Sequence, residues 1–305
     1  MNLAKRLGSV TAPELAPVVR QALRDEEAWP LSWDIESMGW AAVNPATIAL
    51  YRLTGRATTG SGEELGWAVV LKVVNDVDLA GTPLDVGFLH DPQDWNYWKR
   101  EAVAFQSGLL TGWPGPLVPV RCLGVQDTAE DGTWVWLEAC DAGPSGARLG
   151  LEQQAVLAYD LGAFAAQWSA DPPSTVDHPW LAQRWLRGGM ASLRAGGADH
   201  ALTHDGCWTH PLLTAALPRG TQERAQHLFD GAAELLAVLD SLPTTLAHHD
   251  TQASNFFIRD ISDVDKRTVA IDWGFRAGTS GSRPGMSHLE QCRHLDGRPP
   301  TSRRS

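Results

Sequence analysis

Cysteine is scarce in this 305-residue chain: Cys122, Cys140, Cys207 and Cys292 are the only four, and no two of them form a C-x-x-C pair. That excludes a disulfide framework and a zinc scaffold, and the four read as reduced packing residues. Positive charge is also short. Lys and Arg number 25 against 36 Asp and Glu, a net charge of −11, whereas nucleic acid and anionic membrane surfaces both call for clustered Lys and Arg. No apolar run approaches the ~20 residues of a membrane-spanning helix. Lys5 and Arg6 open the chain, but Pro13, Glu14 and Pro17 soon follow and interrupt any signal-peptide core. These absences predict a soluble, cytoplasmic protein with neither nucleic acid nor membrane as partner.

Tryptophan, by contrast, is plentiful. Fourteen are spread from Trp29 to Trp273, a distribution that suits core filling better than a single ligand pocket. The length and apolar content allow two modest domains or a two-lobed enzyme.

The most informative stretch is His248-His249-Asp250-Thr251-Gln252-Ala253-Ser254-Asn255, followed by Val269-Ala270-Ile271-Asp272-Trp273-Gly274. It has the form H-x-D-x-x-x-x-N and then an apolar strand ending in Asp. Kinase-type enzymes use this arrangement to hold a hydroxyl acceptor and magnesium around a transferring phosphoryl group. Phe256–Arg259 and Thr268–Ile271 predict two strands of a hairpin, joined by the polar stretch 260–267. Asn255 and Asp272 then fall together at its open end, roughly 5 Å apart across neighbouring strands. One amide oxygen and one carboxylate suit a small hard cation whose other ligands are phosphate and water. Asp250, on the preceding loop, would face an incoming hydroxyl. A calcium loop over Asp260–Asp265 is excluded, since Lys266 stands where a turn glycine would be needed and Ile271 at the twelfth position in place of Glu. A zinc site on adjacent His248 and His249 is a poor alternative, because no other His or Cys stands at ligand spacing.

The first half reads as strand-rich. A short helix over residues 12–27 carries Leu15, Val18, Val19 and Leu23 at helical spacing. Strands are predicted at Ser32–Trp40, Thr47–Ala57 and Gly66–Val74, with another at Trp134–Cys140 that runs into the breaker Asp141–Pro144. Lys72 stands inside the nearly all-apolar third strand and needs an anion. Trp95, Trp98, Ala102, Phe105 and Leu109 mark an amphipathic helix on which Glu101 lies about 70° from the stripe centre, near enough to turn toward the sheet. A strand Lys paired with a helix Glu is the kinase phosphate clamp; Glu64 and Asp76 are the rival partners.

The second half reads as helical. Leu157, Leu161, Phe164 and Trp168 form one stripe; Ala225, Leu228, Phe229, Ala232, Leu235, Leu236 and Leu239 form another behind Thr221 as N-cap. The fold class expected is α+β with two lobes and a cleft between them. The predicted divisions are a helical extension at 1–28, a nucleotide-binding lobe at 29–140, a helical catalytic lobe at 141–275, and a disordered tail at 276–305. That tail has six arginines against Glu290 and Asp296.

On these residues, residues 30–275 resemble the aminoglycoside phosphotransferase family, which includes other small-molecule kinases and is distantly similar to protein kinases. The resemblance implies a protein-kinase-like fold with ATP and Mg2+ as cofactors and a small-molecule hydroxyl acceptor. It gives Asp250 the role of catalytic base or hydroxyl-orienting residue, with His248 as a buttress of its loop, and makes Asn255 and Asp272 the magnesium ligands. Lys72 and Glu101 would be the phosphate clamp, and the segment 137–140, with Glu138 and Cys140, the hinge that receives adenine. Three departures stand out. His249 occupies a usual Gly, no G-x-G-x-x-G occurs in Trp40–Thr47, and an Arg/Ser/Pro/Gly-rich tail follows Asp272 where the family continues with helices. The tail motivates an alternative reading, a degenerate nucleotide-binding protein without turnover. Residues 171–220 hold four Asp and four Arg, a balance that weakens an expectation of a polycationic acceptor.

Overall fold

The computed structural model describes residues 6–39, 46–76, 90–93, 97–113, 115–128, 131–140, 149–182, 185–260, 266–273 and 277–280. Helix α1 (Ala12–Leu23) opens on a capping box in which the Glu14 carboxylate accepts from the Thr11 amide and hydroxyl, both at 2.8 Å. It ends sooner than its periodicity predicts because Arg24 takes a left-handed conformation, φ 56°, and its amide caps Arg20.

Five strands follow: β1 (Trp29–Ser37), β2 (Thr47–Thr58), β3 (Glu64–Val74) and, after the short β4 (Leu117–Pro119), β5 (Cys122–Thr128) and β6 (Gly132–Glu138). All but β4 pair antiparallel in the order β1-β2-β3-β6-β5, which makes β3 the central strand. Its side chains alternate between two cores. Val69, Leu71 and Val73 are fully buried with Leu15, Val19 and Leu53 beneath α1. Lys72, with Val70, takes the opposite face by the two-residue period, where Ala102, Val135 and Leu137 pack.

The expected helix around Glu101 is present as α2 (Arg100–Gln106) but is short. Leu109 lies beyond its end, past Gly108 at φ 77°, and Trp95 lies outside the described residues. The loop over 40–45 and the breaker at 141–144 are likewise outside them.

The second half is helical, as its periodicity predicts. Helix α3 (Leu151–Ala170) buries Leu157, Leu161 and Phe164. Beyond it come α4 (Trp185–Ala195), the short α5 (Ala198–Thr203), α6 (Asp205–Trp208) and α7 (Pro211–Ala216), then α8 (Thr221–Asp230) and α9 (Ala232–Asp240). The stripe from Ala225 to Leu239 is thus two helices broken at Gly231. Its N-cap is Gly220, while the Thr221 hydroxyl donates to Pro218 O at 2.6 Å. Nor is that stripe a core: Leu228 is 61% and Leu235 47% exposed, and Ala232 alone of its members is buried. Helical spacing predicts an amphipathic surface, but not what covers it.

Two small sheets complete the architecture. β8 (Phe256–Asp260) and β9 (Lys266–Ala270) form the predicted hairpin, and β4 adds to β9 in parallel, which links the strand-rich half to the helical half. β7 (Thr245–His248) pairs antiparallel with β10 (Ala277–Ser280), so that Ala277 stands opposite His248. Four residues of the segment whose composition predicts disorder thus pair with β7. Ala-Gly-Thr-Ser offers no apolar alternation from which a strand could be predicted. The rest of that tail, including the helix considered at 286–294, lies outside the described residues. Among the described residues, no helix is long and apolar enough to cross a membrane.

Candidate active site

Lys72 lies between Leu50 of β2 and Val135 of β6, in the middle of the large sheet. Its Nζ is 2.6 Å from Glu101 Oε2 and donates to Asp272 Oδ1 at 2.7 Å. The rival partners are occupied elsewhere, with Glu64 3.6 Å from Arg56 and Asp76 3.8 Å from His90. Three distant segments therefore meet at one ammonium: the central strand, α2, and the exit of the hairpin. Burial alone would lower the Lys72 pKa, but the Asp272 and Glu101 carboxylates outweigh it and hold the group above its ordinary value. For Glu101 burial dominates in the other direction. Desolvation raises its pKa against the pull of Lys72, and the Asp272 charge adds to the rise.

The hairpin end is built by backbone and side-chain bonds together. The Ile271 amide donates to Asn255 O at 2.9 Å, extending the β8–β9 ladder by one rung, and Asp272 then turns away with φ 62°. That is the left-handed region, uncommon outside glycine and most often found at turns or functional sites. The turn lets the next residue, Trp273, direct its amide at Glu101 Oε1, 3.2 Å away. The Trp273 ring is fully buried and fixes that turn, edge-on to His248 at 4.6 Å and to Trp113 at 5.1 Å between centroids.

The His248–Asn255 loop is bound to the same end. His248 Nε2 lies 2.8 Å from Ile271 O, and Asn255 Nδ2 donates to Asp250 O at 3.1 Å. His248, Asp250 and Asn255 are all at least nine-tenths buried. Because the Asn255 amide nitrogen is engaged, the oxygen end of that side chain is defined. An amide oxygen from Asn255 and a carboxylate from Asp272 are donors of the hard kind that could hold magnesium, with phosphate and water needed to complete its shell. Among the described residues, no group of three His, Cys, Asp or Glu gathers as a metal cluster.

Glu138, expected in a hinge, lies farther off. It stands opposite Val69, three residues along β3 from Lys72, roughly 10 Å at strand rise. Its amide donates to Arg121 O at 2.9 Å. The phosphate-covering loop sought in Trp40–Thr47 falls mostly outside the described residues.

Sequence reading missed the Trp273 amide, the direct contact of Asp272 with Lys72, and two supports. One is Asp160 on α3, whose buried carboxylate accepts from the fully buried Thr268 hydroxyl on β9. The other is Arg100, a buried guanidinium beside Glu101. A polar residue on the buried side of a helical stripe was the available signal for Asp160, which lies one turn before Phe164; nothing in the sequence pointed to the Trp273 amide.

No family model matches this chain, and no curated protein sequence matches it. Among solved structures, the chain is similar to the GDP and kanamycin complex of APH(2")-IIia, at 14% identity and a TM-score of 0.49 over 90% of this chain and 77% of that one. It is also similar to the GDP complex of wild-type aminoglycoside 2'-phosphotransferase-IIIa, at 15% identity and a TM-score of 0.49 over 93% of this chain and 79% of that one.

Proposed function

We propose that this protein transfers the terminal phosphoryl group of ATP to a hydroxyl of a small molecule. The observation that carries the reading is the meeting of Lys72 with both Glu101 and Asp272, at 2.6 and 2.7 Å, beside a His248–Asn255 loop tied to the same hairpin end. An ammonium has three donors. With two directed at carboxylates, the third is available to a phosphate oxygen, and Glu101 keeps the group in position as charge develops.

Asp250 orients the acceptor hydroxyl and takes its proton as the new bond from oxygen to phosphorus forms and the bond to the bridging oxygen of ADP breaks. Asn255 and Asp272 would hold magnesium, which when bound offsets the charge of the phosphate oxygens. His248 braces the Asp250 loop through Ile271, and the segment 137–140, with Glu138 and Cys140, is the proposed hinge for the adenine. Positioning and electrostatics supply most of the rate in such a site.

A second reading, nucleotide binding without turnover, rests on the arginine-rich composition after residue 275. One experiment separates the two: acceptor-dependent release of ADP across a panel of hydroxylated metabolites and antibiotics, with GTP as the alternative donor. Turnover that vanishes in Asp250→Ala while nucleotide is still bound supports transfer. Binding of Mg-ATP with no ADP released for any acceptor supports the second reading. Undiminished turnover in Asp250→Ala overturns the assignment of the loop.

A further inference from the structure

The clamp carboxylate is held by a neighbour that has no contact with phosphate in the reading above. We infer that Arg100 is a positioning residue: it anchors the first turn of α2 to the helical half of the chain and thereby fixes Glu101 on Lys72. The inference rests on the phosphotransferase reading for its catalytic consequence, but its structural part stands without it.

Arg100 is 0% exposed. Burying a guanidinium is costly unless it is well bonded, and here Nε donates to Trp180 O at 2.7 Å and Nη2 to Pro92 O at 3.4 Å. The Tyr97 ring lies 5.9 Å from its carbon centre. At the acceptor, Trp180 and Leu181 are buried in the same core as Leu157, Leu161 and Phe164 of α3. The planar fork of Arg serves two carbonyls in different directions at once, which a Lys ammonium on a flexible stem does less well.

Helix α2 needs such an anchor. Seven residues are too few to form a stable helix alone, and its N-cap, Lys99, makes no side-chain cap bond. The first turn is instead fastened at two adjacent residues, to two different bodies. Arg100 ties it to the 171–182 segment of the helical half, and Glu101 ties it to Lys72 of the sheet and to the Trp273 amide. A shift of about 1 Å at a positioning element can cost ~10²-fold in rate. Ala104 of α2 also packs in the core of the helical half, and Arg100 adds a directed polar tie at the residue next to Glu101.

The test uses the full chain with Arg100→Met and Arg100→Lys. The first readout is hydrogen exchange at the Trp273 amide, which reports whether Glu101 is still in place. The second is kcat, measured in the parent and in the Glu101→Ala background, with global stability followed by urea unfolding. If Arg100 acts through Glu101, Arg100→Met speeds exchange at Trp273 and lowers kcat about 10²-fold in the parent, but lowers it no further when Glu101 is already Ala. The stability losses, by contrast, remain in both backgrounds. Unchanged Trp273 protection, or equal kcat losses in both backgrounds, overturns the inference. Should Arg100→Met not fold, Arg100→Lys is read in the same way, and wild-type exchange in that variant also counts against it. If the parent chain shows no turnover, the phosphotransferase reading falls, while the exchange measurement still decides the positioning role.

Discussion

Asp272 and Lys72 are separated by 200 positions in the chain, yet the carboxylate and the ammonium lie 2.7 Å apart. The contact closes the hairpin exit onto the central strand of the large sheet. A charge triad results, because Glu101 meets the same ammonium from α2.

Removing the centre of that triad should be costly. Lys72→Ala leaves two carboxylates facing each other, one of them fully buried, and breaking a buried ion pair in this way costs about 3 kcal/mol or more. The double variant Lys72→Ala/Glu101→Ala should lose much less than the sum of the singles, in both urea stability and turnover. Simple additivity would show that the pair is not energetically coupled.

Asp272→Asn should separate the two duties of Asp272. The amide oxygen can still accept from Lys72, so the fold survives, but the charge that would hold a divalent cation is gone. Magnesium-dependent affinity for an ATP analogue is expected to fall by more than about tenfold. Titration calorimetry with and without magnesium measures it, and an unchanged magnesium dependence removes Asp272 from the metal site.

Asp160 offers a test by pH. Burial raises its pKa, and the Thr268 hydroxyl only partly offsets the rise. A carboxyl with a raised folded-state pKa contributes most to stability below its unfolded value and loses that contribution as pH climbs through the folded value. Asp160→Asn keeps an acceptor for Thr268 and does not titrate. It should match the parent in acid and exceed it increasingly toward neutral pH, in denaturant midpoints taken across that range; a constant difference at every pH would refute the argument.

Much of this site was legible because its chemistry is local in sequence. The hairpin follows from two short runs rich in β-branched and aromatic residues, and Asn255 and Asp272 flank it. Lys72 stood out as a charge in an apolar strand, and Glu101 as the acid at the edge of a helical stripe. What escaped depends on tertiary contact. The left-handed turn at Asp272, the Trp273 amide on Glu101 and the Arg100 bond to Trp180 each join segments whose proximity no periodicity encodes. The exposed leucines of α8 and α9 mark the same limit from the other side, since a 3.6-residue stripe fixes a face and leaves its covering undetermined.

The residue before Asp250 sets the last prediction. His249 occupies a position where the resembling family has glycine, and its ring stacks on Trp185 at the start of α4, with centroids 5.3 Å apart and planes 12° from parallel. An aromatic pair of this kind contributes about 1 kcal/mol beyond its buried area, and it joins the loop proposed to face the acceptor to the helical half. His249→Gly removes the ring and frees the backbone beside Asp250. Its effect should therefore fall on the acceptor: a severalfold change in acceptor KM, a modest loss of thermal stability, and an affinity for ATP equal to the parent's. Initial-rate kinetics varying each substrate in turn, with nucleotide binding measured separately, would reveal the split. A loss confined to nucleotide affinity would mean that the His249–Trp185 stack supports the phosphate side and that the acceptor approaches Asp250 from elsewhere.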